Sequence, residues 1–309
     1  MKAYLDCFPC FLRQALEAAR MSTASQTVQQ QIMDEVMREL VRLPSDVTPP
    51  QVGQVIHRLI RRITGNKDPY QKVKQQYNEM ALEMYPALCE RVQASEDPVL
   101  TAVKLAIAGN IVDFGALSGD FDLGQVVEQT LSSDFASDDY DSFRRTVERA
   151  ARIVYLGDNT GEIVFDRILI ETLLPLRRAQ FVFVVRGVPV LNDATMEDAR
   201  FVGLDRLVEV IPDGSDAPAT VLSECSPVVQ EMYRAADMLI VKGQGNYESL
   251  SNERGPLFFL LKAKCPVVAQ DLGVEVGDIV LRGSDGVREY AQVEAPEAKI
   301  RGLELNVER

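Results

Sequence analysis

Residues 152–174, RIVYLGDNTGEIVFDRILIETLL, decide how the chain is read. Ile153, Val154, Tyr155 and Leu156 make a short β-rich run. Gly157 and Gly161 bracket a polar turn that carries Asp158 and Asn159, and the residues beyond have helical character. Strand, tight turn and helix in that order form the repeating unit of a parallel α/β sheet. The two glycines ease the turn and permit close backbone approach. Glu162 falls three residues after Asn159, the spacing of a helix capping box. Capping uses Asn159 and Glu162 but leaves Asp158 without a task. Carboxylate and carboxamide oxygens together are ordinary ligands of hard divalent ions. On this stretch alone, a capped turn and half of a metal site both stand.

The same alternation continues downstream. Strands are expected at 181–185, 207–211, 237–241, 266–269 and 279–281, with helices at 195–202, 221–235 and 254–263. Apolar strands separated by helices predict an α/β fold, a three-layer, mostly parallel sheet covered on both faces. Ligands of such sheets bind beyond the carboxyl ends of the strands. Upstream, the chain reads as helical at 7–21, 22–43, 68–81, 99–114, 126–132 and 139–151, with Ser22 or Thr23 capping the second segment. Pro44, Pro49 and Pro50 mark a loop. Val52, Val55, Ile56, Leu59, Ile60 and Ile63 then form one apolar stripe, ended by Gly65. The expected division is a helical N-terminal domain, 1–150, and an α/β metal-binding domain, 151–309.

Two further strand ends add chemistry. Asn192 and Asp193 follow the strand at 181–185, and Thr195 with Asp198 again has capping-box spacing, which leaves Asp193 free. Both Asn/Asp pairs belong at one edge of a parallel sheet, within reach of one ion. The third strand end supplies Lys242, then Gly243, Gln244, Gly245 and Asn246, a polar turn suited to an anion. Near the end of the helix at 99–114, Asn110 and Asp113 lie one turn apart. Neither a G-x-x-x-x-G-K-[ST] loop nor a G-x-G-x-x-G fingerprint occurs among these turns, which removes support for ATP hydrolysis and nicotinamide chemistry.

The whole-chain numbers narrow the class. The 309 residues carry 46% hydrophobic content and a formal charge of −13, which argues against a general nucleic-acid binder. A small anionic substrate remains compatible, because a metal ion reverses the local potential. The opening MKAYLDCFPCFLRQALEAARM contains Asp6 and Glu17 and is no signal peptide, and no apolar run is long enough to span a bilayer. Five scattered cysteines make no secreted scaffold. A soluble cytoplasmic protein is expected, with its oligomeric state open. Cys7 and Cys10 form CxxC, read as helix-start packing, a redox-sensitive dithiol or an ancillary metal contact. The single histidine, His57, is read as an exposed or satisfied helical residue. Its isolation excludes a multi-histidine zinc hydrolase or a histidine-dependent triad. The basic run HRLIRR at 57–62 is read as a solvated helix face.

GDNTGEIVFDRILIE, GVPVLNDATMEDA and KGQGNYESL resemble the signatures of the damage-control phosphatase family, also catalogued as domain of unknown function 89. CFPCFLRQALEAAR and AGNIVDFG resemble its prokaryotic branch, so the likeness spans the chain. The resemblance implies a helical part packed on a Rossmann-like domain and a phosphatase dependent on Mn2+, Co2+, Ni2+ or Mg2+. It implies metal ligands at Asp158, Asn159 and Asp193 and a phosphate-contacting lysine at Lys242. Asn192, Glu162, Asn110 and Asp113, with Gly243 and Asn246, are implied as pocket or supporting residues. The expected reaction is hydrolysis of small phosphomonoesters, such as sugar phosphates, by a metal-activated water, with no nucleic-acid or membrane partner. Alternatives are an S-adenosylmethionine-dependent methyltransferase, for which GDNTGE has too few glycines, and a non-catalytic phosphosugar-binding protein.

Overall fold

The structure, a computed structural model, describes residues 1–110, 123–285 and 287. Three helices open the chain: α1 (Cys7–Ser22), α2 (Gln26–Arg42) and α3 (Pro49–Thr64). Ser25, not Ser22 or Thr23, caps α2 by accepting the Val28 N–H. Pro49 and Pro50, expected in a loop, instead begin α3, where a missing N–H costs nothing. The stripe Val52, Ile56, Leu59 and Ile60 closes a core with Ala15, Ala18, Ile32 and Val36. His57 corrects its expectation. It is 3% exposed, and among the described residues its Nε2 has no hydrogen-bond partner.

Helix α4 (Gln71–Gln93) runs past its expected end at 81 and through Pro86, since Leu88 and Val92 continue its buried face. Helix α5 (Pro98–Gly109), capped by Asp97, is buried on most sides, as its sequence predicts. Helix α6 (Leu123–Ser132), strand β1 (Ser137–Asp138) and helix α7 (Tyr140–Arg149) follow. Strand β1 pairs with the last strand, so the sheet draws one edge from the segment expected to be helical.

The remaining elements alternate: β2 (Arg152–Leu156), α8 (Glu162–Leu173), β3 (Gln180–Val185), α9 (Met196–Phe201) and β4 (Glu209–Pro212). Then come α10 (Pro227–Ala235), β5 (Met238–Lys242), α11 (Gly243–Leu250), β6 (Leu257–Lys262), α12 (Pro266–Leu272) and β7 (Ile279–Gly283). Two expectations are reversed here. Residues 254–263 hold a strand rather than a helix, and 266–269 open a helix rather than a strand. Pro266 at the first helical position outweighs the β-propensity of Val267 and Val268.

The sheet order is β1-β7-β6-β5-β2-β3-β4, all parallel except the β6–β7 pair. Central strand β2 is buried on both faces. Ile153 and Tyr155 join the core on one side, and Val154 and Leu156 the core on the other. The Tyr155 ring stacks on Phe183 of β3 at 5.0 Å. Each such burial contributes about 2 kcal/mol, enough to set the register against a one-residue slip. From β2 the chain winds outward through β3 and β4, then returns to β5 on the opposite side. The reversal puts the topological switch point at the carboxyl ends of β2 and β5, the position where open α/β sheets bind ligands.

Candidate metal centre at the sheet switch point

Beyond the carboxyl ends of β2 and β3, backbone pairing joins two turns. Gly157 donates its N–H to the Val184 carbonyl (3.0 Å), carrying the β2–β3 ladder one step further. A Cβ at Gly157 would lie 2.5 Å from the Phe183 ring, so only glycine fits there. The Ala194 N–H then donates to the Asp158 carbonyl (2.8 Å), and the Thr160 N–H to the Asn192 carbonyl (2.8 Å). Asn159 and Asp193 are paired as an isolated antiparallel bridge. The two Asn/Asp motifs, 34 positions apart as Asn159 and Asp193, are thus joined at the strand ends.

Side chains complete the wall. Asn110, at the end of α5, donates through Nδ2 to Asp158 Oδ2 (2.9 Å) and Glu162 Oε2 (2.8 Å). Asn159 Nδ2 donates to the same two oxygens, at 2.9 and 3.2 Å. Glu162 Oε2 also accepts the Asn159 N–H at 3.2 Å, the reach-back half of a capping box, although Gly161 is the N-cap of α8. Gly243 presses on the other side. At its φ of 80°, a Cβ would fall 1.8 Å from Asp158 Oδ2.

Asp193 is held from behind. Its Oδ2 accepts the Ala219 N–H (3.0 Å) and faces Arg186 Nε (3.3 Å). Arg186 is 1% exposed and also donates to Asp213, to the Gly157 carbonyl and to Thr220 Oγ1. Asn246 accepts the Thr220 N–H (2.6 Å) and donates to the carbonyls of Gly157 and Lys242. The loop carrying Ala219 and Thr220 is clamped to α3 by Asp216, which pairs with Arg58 (2.6 Å), Arg61 (2.5 Å) and Gln54 (2.8 Å). Arg58 and Arg61 therefore do more than solvate a helix face.

Charge around these strand ends is unbalanced. Asp158, Glu162, Asp166, Asp193 and Asp213 are buried, with Lys242 and Arg186 as the buried cations bound to them. Burial, then the charges of Glu162 and Asp193, push the Asp158 carboxyl well above the usual range, with Lys264 and Arg186 opposing. Burial raises Asp193 to about 6 against the pull of Arg186 and the Ala219 N–H. A bound cation would relieve both.

The residues fit a hard divalent ion. Asp158 and Asp193 each commit Oδ2, and the Asn159 amide nitrogen is taken by two carboxylates. Among the described residues, no hydrogen bond reaches Asp158 Oδ1, Asn159 Oδ1 or Asp193 Oδ1. Three oxygen donors are left over, two charged and one neutral, a set that suits Mg2+ or Mn2+. Asn110 Oδ1 is a fourth oxygen, buried and without a hydrogen-bond partner among the described residues. No three His, Cys, Asp or Glu side chains gather as a ligand set among the described residues.

The structure brings Asp158, Asn159, Asp193, Glu162 and Asn110 together; Asp113 lies outside the described residues. Asn192 contributes its backbone carbonyl. Asn246 is fully buried and engaged with backbone, so it braces the wall. Gly243 to Asn246, expected as an open turn, form the first turn of α11. Lys242 departs furthest from its expected place at the ligand edge. It is 0% exposed, and its Nζ donates to Glu162 Oε1 (2.5 Å), Asp166 Oδ1 (2.8 Å) and the Ala106 carbonyl (2.8 Å). Burial lowers its pKa, but Asp166 and Glu162 raise it more, so it stays charged.

Sequence reasoning missed Asn78 on α4. Its Oδ1 accepts the Gly161 N–H (2.8 Å), and its Nδ2 donates to Asp198 Oδ1 (3.0 Å). One buried carboxamide thereby spans the turn after β2 and the capping box of Thr195 and Asp198 after β3. A lone Asn in a polar helical stretch gives no signal of this. Tyr155 and Asp166, also brought to this cluster, carry no sequence signal beyond their strand and helix positions.

A doubly wound sheet with buried carboxylates and carboxamides beside its switch point defines an α/β protein whose polar residues sit where such sheets bind ligands. Residues 3–280 match the damage-control phosphatase ARMT1-like domain. An uncharacterized protein of Methanocaldococcus jannaschii, MJ0202, is 35% identical over 285 residues, covering 89% of this chain and 93% of that one. Damage-control phosphatase PH1575 of Pyrococcus horikoshii is 34% identical over 282 residues, 91% and 97% of the two chains. A crystal structure of a DUF89 family protein from Pyrococcus horikoshii superposes with a TM-score of 0.84 at 33% identity, covering 92% of this chain and 99% of that one. The chain belongs to the damage-control phosphatase family, an enzyme family whose general activity is metal-dependent phosphate hydrolysis. No helix among the described residues is long and apolar enough to cross a membrane.

Proposed function

We propose that the chain hydrolyses phosphomonoesters of small metabolites, with Asp158, Asn159 and Asp193 as ligands of one divalent ion. The observation that carries this reading is the bridge between Asn159 and Asp193, which sets two turns side by side with three oxygens that accept no hydrogen bond among the described residues. When bound, the ion supplies positive charge to the phosphoryl group and acidifies a water. Neutral Asn159 keeps the site less negative than three carboxylates would, which favours approach of a phosphate dianion.

The remaining phosphoryl oxygens fall to the N-terminus of α11. Gly243, Gln244 and Gly245 present first-turn N–H groups beside Asp158, and the helix dipole favours an anion there. A direct grip by Lys242, as the resemblance implies, requires its Nζ to leave the Ala106 carbonyl or a carboxylate. The geometry favours a role for Lys242 through Glu162. Asp158 and Asp193 are poor nucleophiles while committed as ligands, which favours in-line attack by water and release of an alcohol and inorganic phosphate.

Phosphate release from a panel of sugar phosphates and phosphopantetheine, with Mn2+, Co2+, Ni2+ or Mg2+ and with chelator, tests the reading. Turnover of at least one phosphomonoester that chelator abolishes is expected. Chelator-resistant turnover, or binding of the panel without phosphate release, would sink it.

A further inference from the structure

We propose that Tyr155 and Asp166 are positioning residues for the metal centre: they hold the Lys242 ammonium against Glu162, and Glu162 sets the Asn159 carboxamide so that Oδ1 faces the ion. The proposal rests on the metal-site reading above and extends it inward by two layers.

The chain of contacts is continuous. The Tyr155 hydroxyl donates to Asp166 Oδ1 (2.6 Å), the oxygen that also takes Lys242 Nζ (2.8 Å). Glu162 and Asp166 stand four residues apart on α8 and face Lys242 together. With Oε1 pinned by Lys242, Glu162 presents Oε2 to the Asn159 N–H, the Asn159 Nδ2 and the Asn110 Nδ2. That triple acceptor fixes which way the Asn159 amide lies. Turned over, the amide would aim its oxygen at the Glu162 and Asp158 carboxylates. Lys242 has three N–H donors and three acceptors, so none is spare for a substrate.

Stability alone does not account for this arrangement. Among the described residues Asp166 Oδ2 is buried without a hydrogen-bond partner, and a buried ion pair is weak evidence for stability. Groups that orient metal ligands from behind are retained for ligand geometry, and losing one typically weakens metal affinity about 10-fold to 100-fold.

The test is an equilibrium Mn2+ titration, read by electron paramagnetic resonance, of the wild type, Asp166→Asn and Tyr155→Phe. Asp166→Asn should weaken Mn2+ binding by about 10-fold or more, and Tyr155→Phe by roughly threefold. In both, the apparent Mn2+ Kd should move more than kcat at saturating Mn2+, a split that lost folding would not produce. Circular dichroism and melting confirm the folded fraction. If Asp166→Asn does not fold, Tyr155→Phe, which removes only a hydroxyl, decides. Wild-type affinity in the folded variants overturns the positioning role alone. A wild type that binds no Mn2+ overturns the metal site and the positioning role together.

Discussion

Asn159 and Asp193 face one another across an isolated antiparallel bridge between the turns that follow β2 and β3. The pairing is backbone-made, by Ala194 N–H to the Asp158 carbonyl and Thr160 N–H to the Asn192 carbonyl, so substitutions of the side chains need not disturb it.

Asp158→Asn should therefore stay folded while losing metal-dependent turnover by on the order of 100-fold or more. Its metal-free Tm should equal or exceed that of the wild type, because the buried carboxylate is opposed by Glu162 and Asp193. Phosphate release and thermal melting without metal check both halves. A variant that melts well below the wild type would mean that Asp158 is structural.

Gly243→Ala places a methyl group on Asp158 Oδ2 and forces a φ of 80° on an L residue. A strain of roughly 1–2 kcal/mol is expected from the backbone alone. Mn2+ affinity should fall together with Tm, measured by titration and denaturant melts. Unchanged Mn2+ affinity would show that the N-terminus of α11 lies away from the ion.

Asn78→Ala removes the acceptor of the Gly161 N–H and a donor to Asp198 in one step. Each buried group left unmet costs about 1–3 kcal/mol. Urea melts should show a loss in that range or above, with weaker Mn2+ binding, since the turn after β2 loses this hydrogen bond to α4 and the turn after β3 is left with the Lys74–Asp198 ion pair. A neutral effect on stability would indicate that water replaces the amide.

His57 titrates far below its ordinary 6.5, at about 3, chiefly through burial and then through the nearby Arg61. The unfolded chain takes up this proton near pH 6.5 and the folded chain only near pH 3, so stability is complete above 6.5 and is lost as pH falls through that window. His57→Phe should decline less than the wild type between pH 6.5 and 3, and keeps an aromatic edge toward Tyr70. Parallel stability curves for the two proteins over that range would refute the assignment.

Much of this site was legible in the sequence because the chemistry sits next to strong signals. The runs at 152–156 and 181–185 announce strands, with Asp158 and Asn159 directly after the first and Asp193 in the loop after the second. The capping box of Thr195 and Asp198 formed as spaced. What failed lies where local signals compete. The run LFFLLK has no alternation, and a buried parallel strand and a buried helix look alike over six residues. Lys242 reads as a strand-end cation, yet its position was decided by Glu162 and Asp166, which only the packing of α8 brings beneath it. Asn78 and Asp216 act across 83 and 158 positions, on Gly161 and with Arg58, a range that no local pattern encodes.

The most direct test of the metal centre is anomalous scattering from crystals grown with Mn2+ and phosphate. One strong peak is expected, bounded by Asp158 Oδ1, Asn159 Oδ1 and Asp193 Oδ1, with phosphate between it and the first turn of α11. A peak held by other residues, or none at that bridge under saturating Mn2+, would contradict this assignment.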